Sequence, residues 1–327
     1  MKVLWVHNYQ NKSQGTFMWD ALDAVREVGT ADVEEFTLPL KPGWGEARSA
    51  IRALRSKARE FDLVHAQYGS LVGLAGALSG KPLVLTLRGS DVYGTGVRGF
   101  SGFAQSFPRT VLTKFAAMRA SRIVTVSEAL GRIAGGWPFV AQENVVTFPS
   151  PVGDMFAKSP ALSEVRRTPL RIAFVSANRD NPLKRRELVE KAVQLCQSVG
   201  LDIQLEIVGG KSRSEVRESI ESCDAIALAS THEGWPNVIK EAMFVGLPFV
   251  STDVSDLRTF AGPMTPNKIV ATAAPIGFAQ AFIDLAVRKT VTELRDAAPL
   301  IGFLPLTQAL NNCALYNSMK PRQDAAR

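Results

Sequence analysis

The sequence predicts an α/β chain of two domains, each a parallel sheet with helices on both faces. Short apolar, β-branched runs alternate with helical patterns from end to end. Their near-continuous hydrophobicity, with helices between them, indicates parallel sheets covered on both faces. At 327 residues, 46% of them hydrophobic, the chain is longer than one ordinary domain and rich enough in apolar side chains for two cores.

Strands are predicted at 2–6, 33–38, 62–66, 82–87, 122–126 and 145–148, then at 170–176, 203–208, 224–229 and 247–251. Helical patterns fall between them, near 16–28, 46–59, 70–79, 108–120, 127–135, 182–199, 213–222 and 236–245. Residues 276–288 and 306–318 read as late helices. The polar, Pro-marked stretch from Phe156 to Pro169 has no clear period and reads as the linker. The predicted domains are 1–158 and 169–305, with 306–327 a helix and tail packing back on the first. Such sheets bind ligands at the carboxyl ends of their strands, which places a cleft between the two domains.

Composition narrows the function. Cys196, Cys223 and Cys313 are odd in number, far apart and without metal-type spacing, so they read as reduced core thiols of a cytoplasmic protein. His7, His65 and His232 are the only histidines, too few for a His-rich metal site. The N-terminus reads as a first strand and lacks a signal peptide's apolar region, and no run of 18 apolar residues spans a membrane. The net charge is +7, carried mainly by residues 1–150, which hold 17 Lys and Arg against 12 Asp and Glu. Acidic partners are therefore expected at the N-terminal domain.

The most informative stretch is Thr231-His-Glu-Gly-Trp-Pro-Asn-Val-Ile-Lys-Glu-Ala-Met243. It follows the apolar run 225–229 and opens a helix at Pro236, a residue favoured at the first helical position. Free N–H groups and the helix dipole there attract phosphate, while carboxylates grip sugar or ribose hydroxyls. Glu233 and Glu241, eight apart, lie a little over two turns apart on roughly one side of the helix. They can hold two parts of one elongated ligand.

This Glu-x7-Glu block, continuing through Gly246-Leu247-Pro248, resembles the nucleotide-sugar site of the retaining GT-B glycosyltransferases of family 4. Similar blocks stand at Phe61–Ala66, Val84–Val92, Ile123–Ser127 and Ile207–Gly210. The resemblance implies a GT-B fold, two Rossmann-like parallel-sheet domains facing across a cleft. It implies a metal-independent, hexosyltransferase-type enzyme. That enzyme moves a sugar from a nucleoside-diphosphate sugar to a glycan or lipid-linked acceptor, in polysaccharide or lipopolysaccharide synthesis. No cofactor is implied beyond the donor itself.

By the same resemblance Glu241 binds the donor ribose and Glu233 the sugar hydroxyls. The backbone of Gly234, Trp235, Asn237 and Val238 lies near the sugar or diphosphate. Trp235 either shapes the sugar pocket or is ordinary packing. A leaving diphosphate needs positive charge where its own charge develops, and Arg and Lys suit it. The family's Arg and Lys match Arg179 and Lys184; Arg186 reads as a solvated helix start. Gly15, in the loop before the first helix, resembles the glycine that lets backbone approach the donor phosphate, or serves only as helix entry. The loop is not a GxGxxG sequence, which argues against a dinucleotide-dependent dehydrogenase.

Two positions depart from the family. Arg88 stands where many members have a histidine, and arginine, always protonated, cannot act as general base, although it can neutralise an anionic acceptor. Asp91 either orients an acceptor hydroxyl or closes a local turn, and His65 is a further acceptor-side candidate. Ser150-Pro151 replaces the usual Asn-Gly turn, and the C-terminal domain is smaller than usual. These departures support an alternative, a non-catalytic nucleotide-sugar-binding or partner protein on the same fold.

From Val92 to Ser127 there is no acidic residue, but Arg98, Arg109, Lys114, Arg119 and Arg122 are interleaved with Phe100, Phe103, Phe107 and Phe115. A second basic helix carries Arg48, Arg52, Arg55, Lys57 and Arg59. Basic residues among aromatics suit an anionic membrane surface, so peripheral contact at the inner face of the membrane is one expectation. The other is that the Phe side chains face the core and the Arg side chains face water. No nucleic-acid module surrounds them, and nucleic acid is not an expected partner.

Overall fold

The structure, a computed structural model, describes residues 1–12, 14–94, 100–157, 168–176, 181–261, 267–287 and 303–320; at 100–105, 154, 157 and 287 the backbone alone is described. The chain forms two α/β units. The first comprises Met1–Gly94, Ala104–Gly153 and the C-terminal segment from Gly302, and the second centres on Asp154–Ile301. The expected linker falls mostly at 158–167, outside the described residues. The second unit starts before it, because Phe156 is fully buried there with the Arg213 guanidinium 5.9 Å from its ring.

In the first unit β1 (Lys2–His7), β2 (Asp32–Thr37), β3 (Leu63–Ala66), β4 (Leu83–Leu87), β5 (Arg122–Thr125) and β6 (Val145–Thr147) form one sheet in the order β2-β1-β3-β4-β5-β6. Every pairing is parallel. The crossovers are α1 (Thr16–Val28), α2 (Trp44–Lys57), α3 (Ser70–Ala77), the short α4 (Ser90–Tyr93), α5 (Phe100–Arg119) and α6 (Glu128–Gly135). One apolar layer joins the sheet to α2, α3, α5 and α6 through Leu54, Val72, Ala75, Ala116, Ala117 and Ala134. The other joins it to α1 through Met18, Leu22 and Val25, and also to the last helix.

In the second unit, after the short α7 (Asp154–Ala157), five strands lie in the order β11-β10-β9-β7-β8, again all parallel. They are β7 (Leu170–Val175), β8 (Ile203–Val208), β9 (Ala225–Leu228), β10 (Phe249–Ser251) and β11 (Lys268–Ile269), of which the two-residue β11 was not predicted. The helices are α8 (Arg186–Ser198), α9 (Arg213–Glu221), α10 (Asn237–Val245) and α11 (Pro275–Val287). Cys196, Phe278 and Phe282 bring α8 and α11 together over the sheet. The final helix α12 (Pro305–Ser318) belongs to the first unit. There Val152 donates its N–H to the Phe303 carbonyl at 2.9 Å, and Ala309, Cys313 and Tyr316 fill the layer beneath α1.

Local chemistry explains where the boundaries differ from expectation. The helix expected at 182–199 is broken. Pro182–Lys184 form a single 3-10 turn, and Arg185 takes a left-handed conformation (φ 48°) before α8 begins. The helix expected from Pro108 starts eight residues earlier and carries that proline inside it. Pro236 is the N-cap of α10, so Asn237 is its first helical residue, and left-handed Gly246 closes the helix.

Candidate active site

At the carboxyl edge of the second sheet, β9 runs into the loop 229–236 and then α10. The 3-10 turn at 182–184 docks directly on that loop, Thr231 donating its N–H to the Leu183 carbonyl at 3.0 Å. The docking brings Lys184 Nζ to 2.5 Å from Glu233 Oε1, with both side chains about four-fifths buried. Ser230 Oγ donates to the same oxygen at 2.6 Å. Oε2 of Glu233 accepts nothing among the described residues, which leaves one carboxylate oxygen for a ligand hydroxyl. The ammonium uses one of its three donors.

Four residues farther on, the N–H groups of Asn237 and Val238, in the first turn of α10, have no acceptor among the described residues. They are the orphan donors of a helix start and favour an anion. Glu241 lies in the middle of α10, half-buried. Trp235 is 7% exposed, its ring 5.8 Å from that of Phe260 and 5.7 Å from the buried Lys240 ammonium. Its surface is used in packing. Gly234 offers its carbonyl to Ser255 Oγ at 2.6 Å. Arg179 lies outside the described residues.

Sequence reasoning missed Arg185. Its guanidinium donates to the Ala229 and Ser230 carbonyls, at 2.5 and 2.9 Å, and holds the strand end on which Glu233 is carried. Within Lys184-Arg185-Arg186 nothing marks it, because its role depends on the left-handed backbone. Arg186 pairs with Glu190 at 3.1 Å, one turn along α8, as a helix-surface residue does.

At the carboxyl edge of the first sheet, Gly15 has φ 61° and caps α1. A Cβ there would come within 2.6 Å of the Tyr9 ring, so both backbone and packing require glycine. Arg88 follows β4. Its Nε and Nη2 donate to the carbonyl and side-chain oxygens of Gln67, each at 2.8 Å, and Nη1 donates to Ser150 Oγ at 2.9 Å. The guanidinium lies 4.5 Å from the centre of the Phe17 ring. Every one of these partners is neutral, and burial pulls the Arg88 pKa below its ordinary value. Two of its five N–H groups remain available. Arg88 and Ser150, which both depart from the family pattern, thus touch each other.

The other two acceptor-side candidates, Asp91 and His65, are buried. The Asp91 carboxylate accepts the N–H groups of Arg88, Gly89 and Gly69 at 2.8–3.2 Å and is 1% exposed. It closes the turn that aims Arg88, so its oxygens are already engaged. His65 is 1% exposed, with Nδ1 2.5 Å from Tyr316 Oη and Nε2 2.7 Å from Thr86 Oγ1. Trp5 Nε1 donates to the same Tyr316 oxygen at 2.9 Å. Burial, helped by the Arg88 charge, lowers the His65 pKa to about 3, so the ring is neutral. One proton arrangement satisfies the whole chain: Trp5 N–H to Tyr316, Tyr316 O–H to His65 Nδ1, and His65 Nε2–H to Thr86. His65 therefore ties α12 to the sheet from within the core. Among the described residues no group of three His, Cys, Asp or Glu side chains is placed to hold a metal ion.

Comparison with known proteins bears on the family of the two units and on their fold. A family profile described as Glycosyltransferase Family 4 matches residues 16–153, and one described as Glycosyl transferases group 1 matches 155–287. No curated protein sequence matches. Among solved structures, Anabaena HepE in complex with UDP and glucose superposes with TM-score 0.73 at 17% identity, over 98% of this chain and 100% of its own. Sucrose-phosphate synthase from Thermosynechococcus elongatus gives 0.74 at 15% identity, over 98% and 99%. The lipopolysaccharide outer core galactosyltransferase WaaB gives 0.67 at 14%, over 97% and 100%.

Proposed function

We propose that this chain, a GT-B glycosyltransferase by its two matched domains, moves a hexose with retention of configuration from a nucleoside-diphosphate sugar to a glycan or lipid-linked acceptor. The observation that carries the reading is the Lys184–Glu233 pair beside the open N-terminus of α10. One group is cationic and one anionic, and each has capacity left over. Donor binding would divide them, Glu233 Oε2 taking a sugar hydroxyl and the ammonium taking the diphosphate. As the glycosidic bond breaks, negative charge grows on the leaving phosphate. Lys184 and the Asn237 and Val238 N–H groups would be fixed in place to receive it, so that little reorganisation is needed, and Arg179 would add a second cation. Glu241 would hold the ribose, and Gly15 would let backbone approach the phosphate.

No cofactor or metal enters this scheme; the protein's own cations supply the charge. The N-terminal domain would hold the acceptor. Its polar edge is organised around Arg88, whose guanidinium donates only to neutral groups among the described residues. An acceptor with a phosphate or carboxylate next to its nucleophilic hydroxyl fits that edge, as glycans and lipid diphosphates of polysaccharide or lipopolysaccharide assembly would. The leaving phosphate, rather than a histidine, would take the acceptor proton. The protein would work in the cytoplasm, at the inner face of a membrane.

A thermal-shift screen against UDP-, GDP- and ADP-sugars tests donor binding, since a bound donor raises the transition. Slow release of nucleoside diphosphate by the purified protein separates catalysis from a binding-only role. A protein that is stabilised by a donor but never releases the nucleotide, with or without acceptors, would be a binding protein.

A further inference from the structure

Helix α5 turns its apolar side outward. Thr113, Ala116 and Ala117 are buried against the sheet, whereas Phe107 is 55% exposed, Val111 46%, Phe115 38% and Met118 49%. Steps of four, four and three residues put these four side chains in one stripe on the solvent side of the helix. The expectation that the phenylalanines face the core is wrong for Phe107 and Phe115, because the alanines take the inward positions. Lys114 and Arg119 flank the stripe. The Lys114 ammonium lies 5.9 Å from the Trp137 ring and the Arg119 guanidinium 6.0 Å from that of Phe115. Beyond Trp137, Phe139 is 83% exposed on left-handed backbone (φ 66°).

Exposed aromatics with a basic rim and no acidic residue between Val92 and Ser127 complement one kind of surface, an anionic lipid bilayer. A second copy of this chain would set the same basic rim against itself. No helix among the described residues is long and apolar enough to cross a membrane, and α5 has the character of a helix that lies in its interface. We propose that the outer face of α5, with Phe107, Val111, Phe115 and Met118 inserted among lipid tails and Lys114 and Arg119 at the head groups, docks the protein on anionic membrane. The inference deepens the membrane contact of the proposed function, but it is tested without donor or acceptor.

The test is co-sedimentation of the full chain with vesicles of equimolar phosphatidylglycerol and phosphatidylcholine, and with phosphatidylcholine alone. The expected result is binding to the anionic vesicles only, weakened by salt. Phe107→Ser with Phe115→Ser should lower partitioning roughly tenfold or more, and Lys114→Glu should lower it by about fivefold or more. The double variant should keep the wild-type thermal transition and, if the chain is a glycosyltransferase, its acceptor-free nucleotide release, because both side chains face solvent. Equal binding by the double variant, or no binding by the wild type, overturns the proposal. So does a lipid-independent dimer that the double variant abolishes. Loss of nucleotide release from the Lys184 or Glu233 variants leaves the vesicle result unaffected, so the two readings fail separately.

Discussion

Tyr316→Phe probes the buried chain that joins α12 to the first sheet. The phenyl ring fills the same space, so no cavity opens and the change is confined to one oxygen. That oxygen accepts from Trp5 Nε1 at 2.9 Å and bonds His65 Nδ1 at 2.5 Å, and Tyr316 is fully buried. Its removal strands an indole N–H and an imidazole nitrogen, neither of which can reach water. Each stranded group costs about 1–3 kcal/mol, so the expected loss is about 2–6 kcal/mol. This is a large share of the ~5–15 kcal/mol of a typical native protein. Thr86→Val, which removes only the far end of the chain, should cost less, about 1–2 kcal/mol. A two-unit chain need not unfold in one step, so the assay is native-state hydrogen exchange read at amides of β1 and β3. Loss of protection confined to the first unit is the expected result. A change under about 1 kcal/mol at those amides would refute the network's energetic role.

Glu233→Gln and Lys184→Ala should each lower the rate of transfer by about 10²–10³, the effect of removing one fixed charge-stabilising group; single-turnover kinetics check this, and wild-type-like turnover in either removes the mechanism. Arg88→Gln should raise KM for an anionic acceptor while acceptor-free nucleotide release stays near wild type, and a parallel fall in both would place Arg88 on the donor instead. Gly15→Ala should cost about 1–3 kcal/mol through its left-handed φ and the Tyr9 ring, measured by thermal unfolding. Burial lowers the pKa of His65 to about 3 and that of His7 to about 4, both from an ordinary 6.5. The unfolded chain therefore takes up their protons first. Their contribution to stability is complete above about pH 6.5 and is lost as the pH falls towards 3–4. Replacing His65 with Asn should flatten that acid limb in urea titrations across the window.

Most strands were legible because they are unbroken apolar runs between turn residues, whereas the edge strands β2 and β8 mix charged or polar residues with apolar ones. The runs of β3, β4 and β9 are buried at nearly every position, and burial on both faces leaves no polar alternation to misread. β11 escaped notice because two residues carry no pattern. The α5 boundary was misplaced because proline is a helix-start signal, and the eight residues before Pro108 have no period strong enough to contradict it. Glu233 and Lys184 could be named from their family block, but their contact could not. It depends on the Thr231–Leu183 hydrogen bond between segments almost fifty residues apart. Arg185 and Gln67 were invisible for a related reason, as was the contact of Ser150 with Arg88. Each acts by what it holds in place, and a lone Arg, Gln or Ser in sequence does not disclose its partner. The outward face of α5 was hidden because alternate small and large apolar residues give a helix two candidate inner faces, and only the packed sheet selects one.

The placement of α12 also has a consequence in time. Trp5 and Tyr316, hydrogen-bonded in the finished molecule, are separated by 311 residues. A ribosome that has released the strands up to β6 has still to make about 150 residues before α12 exists, on the order of 8 to 30 s at ordinary rates of synthesis. During that interval the layer under α1 lacks Ala309, Cys313 and Tyr316, and the Trp5 and His65 nitrogens await their partner. The unit translated first is therefore among the last to be completed, and its open face is where a nascent chain of this protein would call on a chaperone.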